Sequence, residues 1–90
     1  MSDVRYRRHP DLRLTSLEGE GVILHLKERR YFSVNETGLL ILEALKQPRT
    51  FAELVDAVLV EYDVSPEMAA ETAKAFLDHC LASVVVEQLE

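Results

Sequence analysis

Two kinds of hydrophobic spacing divide this chain. Between residues 12 and 34, apolar and polar positions alternate in short runs; from residue 35 onward, apolar positions recur every third or fourth residue. The first spacing marks strands with one buried face, the second amphipathic helices. Leu12 and Leu14 alternate with Arg13 and Thr15. Val22, Leu24 and Leu26 alternate with Ile23 and His25, which puts the dominant apolar face of that strand on Val22, Leu24 and Leu26. Glu18-Gly19-Glu20-Gly21 is a turn signal, since both glycines permit positive φ. Lys27-Glu28-Arg29-Arg30 turns the chain again, and Tyr31-Phe32-Ser33-Val34 is a third strand, aromatic and branched. The pattern predicts a three-stranded antiparallel β-meander.

Three helices follow. Asn35 is a good N-cap, with Ser33 and Glu36 offering a competing capping box. Leu39, Leu40, Ile41, Leu42 and Leu45 make the first helix apolar around much of its circumference, so it belongs in the middle of the fold. Gly38 in its first turn costs about 1 kcal/mol relative to alanine, which implies a close backbone contact there. Gln47-Pro48 ends it. Thr50-Phe51-Ala52-Glu53 is a capping box, after which Phe51, Leu54, Val55, Val58, Leu59 and Tyr62 form one stripe. Ser65-Pro66-Glu67 starts the third helix, with a stripe of Ala69, Ala73, Phe76, Leu77, Cys80 and Leu81. Val84-Val85-Val86 ends it as a short extra strand. Residues 1–11 read as a flexible polar arm carrying Arg5, Arg7 and Arg8, and residues 12–90 as one domain.

Composition narrows the function. Ninety residues make one small core. A single cysteine excludes an internal disulfide framework and a cysteine-built zinc site. No apolar run approaches the length of a membrane span, and residues 1–11 lack the apolar stretch of a secretory signal, so a reducing cytoplasm is the expected location. His9, His25 and His79 have no metal-ligand spacing on a shared helix face, and no phosphate loop or serine-nucleophile motif occurs; no catalytic residue, metal or cofactor is expected. Net charge is −6, split as +2 over residues 1–34 and −8 over residues 35–90. The second helix carries only acids and the third sets Glu67, Glu71 and Asp78 against Lys74, which opposes contact with a phosphate backbone.

Val34-Asn35-Glu36-Thr37-Gly38, Ile41-Leu42, Arg49-Thr50, Glu61-Tyr62, Val64 and Phe76-Leu77, in this order of strands and helices, resemble the PqqD family over residues 22–86. These small proteins are named for pyrroloquinoline quinone biosynthesis, and their fold is reused to recognise precursors of ribosomally made, modified peptides. The chain departs from the family pattern at Thr72, where an acid is common, and near Ser83, where glycine is common. The resemblance implies an α+β fold, a three-stranded antiparallel meander followed by a three-helix bundle in a winged-helix-like arrangement. It implies a non-catalytic peptide chaperone. The partners would be the leader of a precursor peptide, added as an antiparallel strand beside the third strand in a groove bordered by the third helix, and a modifying enzyme such as a radical S-adenosylmethionine enzyme or a leader peptidase. The alternative suggested by the same fold is a DNA-binding or regulatory protein, for which only the N-terminal arm offers cations.

Physical chemistry allows the first reading. An edge strand carries unpaired N–H and C=O groups that template strand addition, either by a peptide or by a second copy as a homodimer. The expected peptide-binding residues are Arg29, Arg30, Tyr31, Phe32, Ser33 and Val34 on the third strand, and Ala73, Phe76, Leu77 and Cys80 on the third helix. Tyr31 and Phe32 must lie on opposite faces, so at most one enters the groove. Phe76 and Leu77 fit either the core or the groove wall, and Arg29 and Arg30 fit a solvated turn, partners for acids of a leader, or charges that protect the edge against aggregation.

Overall fold

A computed structural model of the chain describes residues 4–89. The elements run β1 (Arg5–Arg8), β2 (Leu12–Leu17), β3 (Glu20–His25), β4 (Arg30–Val34), α1 (Glu36–Ala44), β5 (Arg49–Thr50), α2 (Phe51–Glu61), α3 (Pro66–Ala82) and β6 (Val86–Leu89). The fold is α+β, with two three-stranded antiparallel sheets ordered β2-β3-β4 and β5-β1-β6. No helix among the described residues is long and apolar enough to cross a membrane.

The meander forms where the alternation predicts it, but β3 faces the other way. Ile23 and His25 are each 1% exposed, while Leu24 and Leu26 stand 40% and 45% exposed on the outer face. The register supplies the reason. Ile23 pairs with Phe32 and Gly21 with Val34, so the inner face is set by the side chains that meet the helices. Gly21 lies inside β3, not in the turn. A Cβ there would stand 2.8 Å from Val34 Cγ2 and 2.9 Å from Leu39 Cδ1, so its small size lets α1 approach the sheet. The tight turn uses Glu18 and Gly19, at φ +41° and +85°, and Arg29 at φ +53° closes the second.

The helices follow their caps. Asn35 Oδ1 accepts from Gly38 N at 2.9 Å, and Leu39, Ile41, Leu42 and Leu45 are buried. Gly38 makes the close contact its position implied: a Cβ would lie 2.8 Å from the Phe76 ring. Thr50 and Glu53 form a reciprocal capping box, with Thr50 N donating to Glu53 Oε1 at 2.8 Å. That backbone hydrogen bond holds the Glu53 carboxyl below its ordinary pKa. Ser65 caps α3, with Pro66 at its first position. Arg49 Nε donates to Ala44 O at 3.1 Å, which satisfies a terminal carbonyl of α1.

Residues 5–8 are not an arm. They form β1 at the centre of the second sheet, with Tyr6 packed on the core and Arg7 Nε 2.9 Å from Glu87 Oε2. Of the rest of that expected arm, residues 1–3 lie outside the described residues, and Pro10-Asp11 turn the chain from β1 into β2. Only one apolar residue, Tyr6, falls in β1, so no periodicity announced it. The His9 ring packs against the buried His25 ring, tilted by 40° with centroids 4.7 Å apart.

Candidate functional site

β4 pairs with β3 on one side, and its other edge has no strand partner among the described residues. Beside that edge runs the C-terminal half of α3, and between them opens a cleft of about 320 Å³. Phe32, Ser33, Val34 and Asn35 form one wall, Phe76, His79, Cys80 and Ser83 the other, with Ile23 and Val85 also lining it. The wall on α3 is a helix face, since 76, 79, 80 and 83 recur at i, i+3, i+4 and i+7. The far end is shaped by an unusual cap. Val85 N donates to Cys80 O at 2.9 Å and Val84 N to Leu81 O at 3.3 Å, a Schellman closure with Val84 at φ +59°. Glycine normally takes that left-handed position, and here a β-branched residue holds it.

The other rim of the meander, β2, differs in its surroundings. The hollow beside it is lined by Arg8, Glu43 and Lys46 as well as Leu14 and Ser16, so it offers charge where the β4 cleft offers apolar surface.

Of the residues expected at a peptide site, Phe32, Ser33, Val34, Phe76 and Cys80 line this cleft. Arg30 stands at its end, its guanidinium carbon 5.2 Å from the centre of the Phe32 ring. Arg29 occupies the preceding turn. Tyr31 is 75% exposed on the outer face, so Phe32 is the aromatic that faces the groove. Ala73 and Leu77 are buried in the core at 0% and 4% exposure and do not line the cleft. They sit on the side of α3 turned toward the other helices. Ile23, Asn35, His79, Ser83 and Val85 line the cleft beyond the expected set. His79 and Ser83 carried a readable signal, because they extend the helix face that begins at Phe76.

Burial pushes the Cys80 thiol up to about 12, so it stays protonated and behaves as a small apolar wall group. Among the described residues, no three or more His, Cys, Asp or Glu side chains converge as a metal ion would require.

A family model described as coenzyme PQQ synthesis protein D (PqqD) matches residues 20–86. The chain belongs to the PqqD family. The PqqD match takes in β3, β4 and all three helices, hence both walls of the cleft, and leaves out β1 and β2. A comparison with curated protein sequences found no match. Among solved structures, the chain is similar to TbiB1 in complex with the TbiA(beta) leader peptide, at 25% identity and a TM-score of 0.81, covering 90% of this chain and 94% of that one. It shares the fold of a lasso peptide synthetase B1 complexed with the leader peptide, at 20% identity and a TM-score of 0.77, covering 91% and 96%.

Proposed function

We propose that this PqqD-family domain binds the leader of a ribosomally made precursor peptide as an added strand on β4 and holds it for a separate modifying enzyme. The observation that carries this reading is the edge of β4, which has no strand partner among the described residues, beside an apolar cleft. The similarity to TbiB1, whose structure contains a leader peptide, supports it.

The energetics assign different tasks to the two parts of the site. Four to six ladder hydrogen bonds at roughly 1 kcal/mol each give about 4–6 kcal/mol. Ordering a disordered leader costs roughly 2–5 kcal/mol. Backbone pairing therefore aligns the peptide without holding it. Each large apolar side chain seated between Phe32 and Phe76 adds about 1.5–3 kcal/mol. One or two such anchors bring the total toward the roughly 8 kcal/mol of micromolar binding.

The domain itself acts without bond-making chemistry. A radical S-adenosylmethionine enzyme or a leader peptidase would act on the segment that follows the leader, in the pathway to pyrroloquinoline quinone or to a related peptide product. Without a leader, the same edge would admit β4 of a second copy.

The test titrates the leader of a candidate precursor peptide into the protein by calorimetry. Ser83→Trp fills the cleft from the exposed end of α3 and should weaken binding at least about tenfold. Tyr31→Ala, on the opposite face, should change affinity by less than about twofold. Equal effects from both, or normal binding by a folded Ser83→Trp protein, would rule the cleft out.

A further inference from the structure

The inward positions of β4 are chemically graded. Arg30, Phe32 and Val34 share the inner face, since their cross-strand partners His25, Ile23 and Gly21 are all buried there. Along the strand that row runs from cation to aromatic to aliphatic. The Arg30 charge stays beside the cleft wall, 5.2 Å above the Phe32 ring, at a distance where the ring's quadrupole attracts a cation. Arg30 is exposed and, among the described residues, makes no ion pair; several other cations share that state, and what sets Arg30 apart is its place over the Phe32 ring of the cleft wall. Lys27 and Arg29 add positive charge at the same end against one acid, Glu28. In a chain of net charge −6, this end of the cleft has kept a cation with no carboxylate assigned to it.

Strand geometry converts the row into a pattern in the ligand. Side chains alternate between faces, and residues directly opposite one another across a ladder have Cβ atoms about 4.5–5.5 Å apart. A strand added to β4 therefore sets one side chain against Arg30 and another, two positions away, against Phe32.

We infer that the bound segment carries a carboxylate two residues from the apolar side chain seated against Phe32, and that Arg30 selects it. This rests on strand addition at β4. The spacing of two holds whichever way the segment runs; direction decides only whether the acid precedes or follows the anchor. Opposite charges facing each other across a ladder change affinity by about two- to fivefold, and like charges oppose binding.

A phage-displayed library of random dodecapeptides, panned against the whole chain and against Arg30→Glu, reads this out. The chain should enrich an acid two residues from an apolar position, and Arg30→Glu should enrich a base there. In a synthetic peptide from the first selection, replacing the acid by glutamine should weaken binding about two- to fivefold on the unaltered protein and not at all on Arg30→Gln. Peptides that shift β4 and α3 amides without a charge preference at that spacing, or a preference that survives Arg30→Gln, would overturn the inference and leave strand addition standing. No enriched peptide, or peptides that shift other surfaces, would remove strand addition and the inference together.

Discussion

The meander β2-β3-β4 comes from one uninterrupted stretch of chain, residues 12–34, whereas the sheet β5-β1-β6 gathers segments at residues 5–8, 49–50 and 86–89. In the first, each strand pairs with its neighbour in sequence and loop closure costs little. In the second, pairing waits until the helices have brought distant segments together. The outer strands of the second sheet are two and four residues long, and short edges are poor templates for a foreign strand. The meander keeps a five-residue edge at β4 with a cleft against it. One sheet thus closes the fold, and the other leaves a place to be completed.

Substitutions test that division. The largest expected effect is in the closing sheet. Val86 is buried at the start of β6, and Val86→Asp would strand a carboxylate in the core at a cost of about 3–5 kcal/mol. At roughly 4–8 °C per kcal/mol, the melting midpoint should fall by more than about 12 °C. Leader binding should be lost only in proportion to unfolding. A Val86→Asp protein that stays folded yet fails to bind would blur the division.

Gly38→Ala acts where the two functions touch. The new methyl would press on the Phe76 ring and on Val34. Overpacking costs about 1–3 kcal/mol, against a helix-propensity gain of about 1 kcal/mol. Net destabilisation of about 1 kcal/mol in a denaturant melt should accompany roughly tenfold weaker leader binding, because Phe76 and Val34, the two side chains displaced, both line the cleft. Val84→Gly should raise stability by about 1 kcal/mol, since glycine takes the left-handed cap without strain. The smallest effect concerns the α2 capping box. The lowered Glu53 pKa means its stabilisation is present above the unfolded value of 4.5 and disappears as pH falls through the folded value. Melting curves of Glu53→Gln and the unaltered chain should differ at pH 7 and converge under acid, with binding unaffected wherever both are folded.

The sequence carried the local part of this architecture. Caps at Asn35, Thr50 and Ser65, the α2 stripe and the meander all depend on neighbours within a few residues, and each is where the pattern puts it. β1 was illegible because one tyrosine among three arginines has no period, and its partners lie more than forty residues away. The facing of β3 was misleading for a related reason. Alternation in Val22-Ile23-Leu24-His25-Leu26 favours the face with more aliphatics, but burial followed Gly21 and the need for α1 to pack closely on the sheet. On α3 the sequence pattern gives one stripe, whereas the structure splits it. Ala73 and Leu77 turn to the core, and Phe76, His79, Cys80 and Ser83 turn to the cleft, with Cys80 serving both.

Backbone amide shifts followed by NMR during titration with the leader of a candidate precursor peptide show which of the two sheets accepts a foreign strand. The large shifts should fall on residues 30–34 and 76–85, with slow exchange of newly protected β4 amides. Shifts centred on β1, β5 and β6, or none at millimolar peptide, would contradict strand addition on β4.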